Sequence, residues 1–192
     1  MSKKQEIISI AGKVIHSKGY QATSISDILQ AAGIGKGQFY HYFSSKHDLG
    51  LAVMENLITD WDSQLIEGIL RSADESTKKL NNMLEWALTS HAEMKIKHGC
   101  AMGNLAIEMS EHDEAFRTKI AGFFNRWTDS VAIILDEMIR ENLLDSTIDT
   151  KKSAQAIVSM IEGAILLMTN QQNIELMENV FEVIRKQYNL QY

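Results

Sequence analysis

Gly33-Ile34-Gly35-Lys36-Gly37-Gln38-Phe39-Tyr40-His41-Tyr42-Phe43-Ser44-Ser45-Lys46 is the stretch on which the reading of this chain turns. It is short, dense in aromatic residues and bounded by glycines and serines. Phe39 and Phe43 lie four apart, so on a helix they share one face and point at a core. A helix from Lys36 to about Tyr42 then leaves Lys36, Gln38, Tyr40, His41 and Tyr42 facing outward. Two tyrosines and a histidine on an exposed face are costly unless something covers them, and phosphates and base edges can do so.

The flanks fit a small helical head. Ile7, Ala11, Val14 and Ile15 fall on one face of a helix running from about Lys3 to Ser17. Lys18-Gly19-Tyr20 ends it, with Gly19 expected as a left-handed C-cap. Ser24 with Asp27 three residues on resembles a capping box for a second helix, whose Ile25, Ile28, Leu29 and Ala32 face inward. Ala31-Ala32-Gly33 stops that helix. Ser45 and Asp48 repeat the Ser-x-x-Asp cap at a fourth helix. Lys46 in its first turn opposes the helix dipole, so a phosphate is a fitting partner there.

Beyond Lys46 the stripe Leu49, Ala52, Val53, Leu57 and Trp61 continues toward Leu65 and Leu70 as one long helix. A helix from about Ser76 to Lys97 carries Leu80, Leu84, Ala87, Leu88 and His91 on one face. Gly99 to Ala106 is the least regular segment, with a short helix expected after it, to Ser110. A long helix follows from about Asp113 to Asn142, with Phe116, Ile120, Phe123, Phe124, Trp127, Val131, Ile134 and Met138. In the last two helices Ala154, Ile157, Ile161, Ala164 and Met168, then Ile174, Met177, Phe181, Ile184 and Tyr188, are spaced 3, 4, 3, 4. Such stripes suit near-parallel helix packing. Val158, Ile165, Leu166 and Leu167 make the first of these helices apolar on its other sides as well, so it should be buried all round. One chain cannot cover all of that surface. The expectation is a homodimer whose interface is Ala154, Ile157, Ile161, Ala164, Met168, Ile174, Met177, Phe181 and Ile184, joined as a four-helix bundle.

The totals agree with an all-α chain of about nine helices. Among 192 residues there is no proline, and 45% are hydrophobic, enough for a real core. The net charge of -6 argues at first against nucleic acid, but its distribution does not. Residues 1–50 hold six lysines against three acids (Glu6, Asp27, Asp48), and residues 51–192 hold thirteen basic side chains against twenty-two acidic ones. A basic head on an acidic body suits a protein that touches phosphate at one end. The single cysteine, Cys100, excludes an internal disulfide. No apolar run is long enough for a membrane span, and Met1-Ser2-Lys3-Lys4 leads into an amphipathic helix rather than a signal segment, so a cytoplasmic location is expected.

The pattern Gly19-Tyr20-x-x-Thr23-Ser24-Ile25-x-x-Ile28, Ala31-x-Gly33-Ile34-x-Lys36-Gly37, Phe39-Tyr40-x-Tyr42-Phe43-x-x-Lys46-x-x-Leu49 resembles the TetR/AcrR family of one-component repressors. The resemblance covers about residues 5–55. It implies a helix-turn-helix DNA-binding domain over residues 1–48 and a ligand-sensing and dimerisation domain over 49–192. By it, Ser24 to Ala32 is the positioning helix and Lys36 to Tyr42 the recognition helix. Carried over by position, Thr23, Tyr40, Tyr42 and Lys46 look like phosphate contacts, beside the cap residue Ser24. Lys36, Gly37 and Gln38 look like the residues nearest base edges, joined by His41. Gly35 departs from the family, which usually has a serine N-cap there.

Family bodies enclose a small-molecule pocket, and the lining expected here is Trp61, Trp86, Cys100, Met102, Leu105, Phe123, Trp127 and Leu166. Gly99-Cys100 followed by Gly103-Asn104-Leu105-Ala106-x-Glu108 resembles the LmrA/YxaF-type branch of drug- and flavonoid-responsive repressors. Cys100 beside His98 is either a reactive thiol or, more commonly, a buried inert one. His98, Cys100, His112 and Asp113 lack the tight spacing of a metal site, and no cofactor is expected.

Three function classes compete. The first is a ligand-responsive regulator, most simply a repressor released from a pseudo-palindromic double-stranded DNA operator by a small apolar or aromatic effector. The second is a helical-bundle carrier or enzyme, against which stands the lack of paired carboxylates on a shared face, of a phosphate-cradling glycine loop and of a plausible triad. The third, a non-specific architectural DNA binder, conflicts with the acidic body.

Overall fold

A computed structural model describes residues 1–93 and 97–190. Its described residues form nine α-helices: α1 (Lys3–Lys18), α2 (Ile25–Ala32), α3 (Lys36–Tyr42), α4 (Lys46–Trp61), α5 (Ser76–Glu93), α6 (Ala101–Met109), α7 (Glu114–Arg140), α8 (Thr150–Gln171) and α9 (Glu175–Gln187). A π-helical segment, Asp62–Leu70, continues directly from α4. It closes with Arg71 donating its backbone N–H to the Ile66 carbonyl, five residues back, at 2.9 Å. Two compact units result. One is Met1–Asp60 with Ala101–Ala121, and the other is Trp61–Cys100 with Gly122–Tyr192.

In the first unit α1 packs on α2 over Ile7, Ile8, Ala11, Ile15, Ile28 and Ala32, all buried. Ile8 takes a core place expected of Val14, which is only half-buried. Both halves of the α2 capping box are present: the Ser24 hydroxyl accepts from the Asp27 N–H, and the Asp27 carboxylate accepts from the Ser24 N–H. Gly33 ends α2 in the left-handed region at φ 61°, ψ 38°. Gly19 differs from expectation. Its φ is 89° but its ψ is 150°, so it reverses the chain without a left-handed cap.

The same unit contains a close approach that only glycine permits. A Cβ on Gly50 of α4 would overlap the Tyr20 ring and lie 3.1 Å from Phe116 Cζ. The two rings pack with centroids 5.1 Å apart. Alanine favours a helix by about 0.8–1.0 kcal/mol over glycine, but overpacking costs about 1–3 kcal/mol. Gly50→Ala is therefore expected to lower the melting temperature. A higher one would mean that the Tyr20 ring moves aside freely.

In the second unit α5 packs on the π-helical segment and on α9, and α8 packs on α9. The helix expected to reach Lys97 is described to Glu93. Residues 94–96 lie outside the described residues, and Lys97 is not helical. His98 and Gly99 take positive φ of 74° and 62°. Residues 101–106, expected to be irregular, form most of α6.

The stripes on α8 and α9 require a larger correction. Ala154, Ile157, Ile161, Ala164 and Met168 are buried within the single chain, as are Met177, Phe181, Ile184 and Tyr188. Ile174 is half-buried at the start of α9. These residues are core, not a free interface. The large apolar side chains that these two helices leave exposed are Leu166 (61%) and Leu167 (47%) on α8 and Val183 (55%) on α9. A helix apolar on every side was expected to be buried on every side, and within one chain α8 is not.

Candidate nucleic-acid interface

α3 is seven residues long and has no side-chain cap at Gly35. Its hold on the unit comes from behind. Phe39 and Phe43 are fully buried, with ring centroids 5.7 Å apart. On the other side Lys36, Gly37, Gln38, Tyr40 and His41 are exposed, Tyr40 at 54%. Tyr40 meets Phe39 edge-on at 5.2 Å, and His41 meets Tyr42 edge-on at 4.7 Å. Tyr42 is half-buried beside Phe43. Aromatic edges packed this way orient the polar tips away from the core.

Lys46, at the start of α4, is half-buried. It donates to the Gln21 carbonyl at 3.2 Å, and its ammonium lies 4.6 Å from the Tyr20 ring centroid. Burial pulls its pKa down, while the carboxylates of Glu108 and Asp27 push it up. The α4 cap is shared between two serines: Ser45 Oγ accepts the Asp48 N–H at 3.0 Å, and the Asp48 carboxylate accepts from Ser44 N–H at 2.8 Å. The expected Ser45–Asp48 box is therefore half right. The Ser44 N–H holds the Asp48 carboxyl below the usual range. Asp27 is held lower still, by Lys18 at 2.7 Å and by Ser24.

Thr23 departs from its expected role. It is 1% exposed, and its hydroxyl donates to the Gly19 carbonyl at 2.6 Å. That hydroxyl is committed to closing the turn before α2, so a phosphate contact from it is not supported. Ser24 is exposed, but its hydroxyl is occupied in the cap.

The residues expected to line a pocket are divided. Met102 and Leu105 are buried in the first unit, whereas Trp61, Trp86, Cys100, Phe123, Trp127 and Leu166 belong to the second. Trp61 contacts Trp86 at 5.4 Å and Phe123 at 5.5 Å, both edge-on, and Phe123 lies 6.2 Å from Trp127. The Trp127 indole N–H donates to Met83 Sδ at 3.2 Å. Phe123 and Trp127 are fully buried by neighbours, while Trp61 and Trp86 are half-buried. Leu166 is exposed on the outer side of α8, which corrects its expected place in an enclosed lining.

Cys100 is buried, and its thiol donates to Glu162 of α8 at 3.2 Å. Desolvation raises the Glu162 pKa. Asp113, weighed above as a metal ligand, instead caps α7: its carboxylate accepts the N–H groups of Ala115 and Phe116 and pairs with His47 at 2.7 Å. Sequence reasoning gave no role to Glu162 or Val183, counted Leu167 only among the apolar flanks of α8, and placed Glu108 only in the branch motif. The partners of the first and last lie some sixty to ninety residues away, which no local spacing reveals.

Residues 7–53 match the family described as bacterial regulatory proteins, tetR family. Residues 76–183 match the family described as transcriptional regulator LmrA/YxaF-like, C-terminal domain. The chain is 34% identical to an uncharacterized HTH-type transcriptional regulator in the lacX 3' region of Lactococcus lactis subsp. lactis, over 96% of this chain and 92% of that one. It is 31% identical to the transcriptional regulator AcuR of Cereibacter sphaeroides, over 84% and 74%. Among solved structures, a regulatory protein TetR from Rhodobacter sphaeroides superposes with a TM-score of 0.85 at 28% identity, covering 93% of this chain and 95% of that one. The chain belongs to the TetR family of DNA-binding transcriptional regulators, which act as dimers and are typically ligand-responsive repressors.

Proposed function

We propose that this chain represses transcription by seating α3 in the major groove of a pseudo-palindromic operator, with one α3 from each protomer. The observation that carries the reading is the two-sided build of α3: a polar outer row over a rear anchored by Phe39 and Phe43. A dimer would set two such helices about 34–36 Å apart, one duplex turn. Lys36, Gly37, Gln38 and His41 face base edges. Tyr40, Tyr42 and Lys46 hold phosphates, and Lys46 exchanges the Gln21 carbonyl for one. The dimer forms through the outer sides of α8 and α9, where Leu166, Leu167 and Val183 are exposed. The protein works in the cytoplasm, where its DNA is.

The effector is proposed to be a small apolar or aromatic molecule taken up against Trp61 and Trp86, the half-buried edge of the aromatic cluster, with Phe123 and Trp127 as its floor. Edge-on aromatic walls suit flat apolar ligands. No helix among the described residues is long and apolar enough to cross a membrane.

The test compares two substitutions on a panel of operator variants by fluorescence anisotropy. Lys46→Ala is expected to weaken binding evenly across sequences and to reduce the salt slope by about one. Gln38→Ala is expected to relax preference at one base position, at a cost of about 1–3 kcal/mol there. Equal behaviour of the two would refute the division of roles.

A further inference from the structure

We infer that Glu108, near the end of α6, is a positioning residue for operator binding: its carboxylate fixes the turn that sets α2, and through α2 the recognition helix. The inference rests on the reading of α3 given above. Within the first unit, Glu108 Oε2 accepts the Tyr20 N–H at 2.8 Å and Oε1 accepts the Gln21 N–H at 2.6 Å. The Gln21 side-chain amide donates in turn to the Glu108 carbonyl at 3.3 Å. Two consecutive backbone donors on one carboxylate make a charge-assisted, geometrically specific clamp. It closes across 87 and 88 residues of sequence, so nothing local replaces it.

The turn is shaped to receive that carboxylate. A Cβ on Gly19 would lie 3.2 Å from Glu108 Oε1, and Gly19 holds a φ of +89° that a side chain resists. Immediately beyond, the Thr23 hydroxyl closes on the Gly19 carbonyl and Ser24 caps α2. Gly33 then turns the chain into α3. On the near side, Lys46 donates to the carbonyl of the same Gln21 whose N–H Glu108 holds. A single peptide segment therefore fixes the start of α2 and the resting place of a proposed phosphate ligand.

Electrostatics alone makes the opposite forecast. Glu108 is a negative charge near Lys46, close enough to offset part of the burial that lowers the lysine's pKa. A carboxylate beside a phosphate-contacting cation repels DNA, so deleting it should tighten binding and steepen the salt dependence. The clamp reading requires binding to weaken with the salt slope unchanged, because Glu108 touches no phosphate. The sign of the effect separates the two.

The experiment uses the full-length dimer and a duplex carrying the pseudo-palindrome from its own upstream DNA. Operator affinity of Glu108→Ala, Glu108→Gln and Lys36→Ala is measured over a range of salt, with amide hydrogen exchange followed in parallel. Glu108→Ala is expected to bind about tenfold more weakly, or ~1.4 kcal/mol, with faster exchange at Tyr20 and Gln21. Glu108→Gln keeps the side chain's volume and one acceptor oxygen, so it should fall between and guards against a folding defect in the alanine variant. Unchanged or tighter binding by Glu108→Gln, with the two amides still protected, overturns the clamp. Lys36→Ala reads the α3 assignment separately: normal binding by that variant removes the recognition helix, whereas its loss beside a normal Glu108→Gln removes only the clamp.

Discussion

Phe39→Ala is expected to abolish operator binding by loosening α3 while leaving the protein dimeric. Truncating a fully buried phenylalanine costs about 3–5 kcal/mol, against a total stability of about 5–15 kcal/mol for an ordinary domain. The site makes the high end of that cost the better expectation. Phe39 is the one buried side chain among the seven residues of α3. The helix lacks a side-chain cap at Gly35 and carries Gly37 in its first turn, where glycine costs about 0.8–1.0 kcal/mol relative to alanine. A segment this short does not hold helical form alone. Its shape is imposed by the anchor behind it, which Phe39 shares with Phe43 at 5.7 Å. Without that ring, Lys36, Gln38 and His41 lose their common orientation although none of them has changed. Operator titration should show no specific complex, and amide exchange should rise through α3. Retained affinity with an unaltered melting curve would show that DNA contact, not the phenylalanine, gives the helix its form.

The head was the part most open to reading from sequence, and the reason is that its signals are local. Gly33, Gly35 and the aromatic spacing mark α3 at Lys36–Tyr42, and Ser24 with Asp27 marks the start of α2. Each signal lies within a turn or two of what it determines. Thr23 shows the limit of carrying a role over by position: the resemblance makes it a phosphate contact, yet three-dimensional closure turns its hydroxyl back on Gly19. Glu108 and Glu162 show a second limit, since their partners are distant in sequence. The proposed effector lining was only partly brought together by the fold. Aromatic residues at helical spacing mark a cluster, and Trp61, Trp86, Phe123 and Trp127 do meet. The spacing gave no way to separate Met102 and Leu105, which pack in the other unit.

Replacing Leu166 and Leu167 together by glutamate is expected to split the dimer and leave each chain folded. The stripe Ala154, Ile157, Ile161, Ala164, Met168 has the 3, 4 spacing of any helix packed nearly parallel to another, whether that neighbour is α9 of the same chain or α8 of a partner. In-chain burial resolves the ambiguity, because those residues are covered without a second protomer. Along one side of α8, Ala156, Ser159, Gly163, Leu166, Leu167 and Asn170 are exposed, a strip of uncharged, mostly small or apolar residues at helical spacing. Val183 on α9 is exposed as well. Small side chains let a second helix approach, and each leucine buried on contact contributes about 1.5–3 kcal/mol. Two per protomer, replaced by charges facing their own symmetry mates, should raise the dissociation constant by at least about a thousandfold, or ~4 kcal/mol. Operator binding should fall with it, since each protomer is proposed to grip one half-site. Circular dichroism should be unchanged, because both side chains already face outward in the single chain. Met177→Glu supplies the contrast, since that side chain lies in the core and its charge should unfold the protomer instead. Sedimentation that finds the leucine double variant still dimeric, or spectra that find it unfolded, would return the interface to the buried stripes.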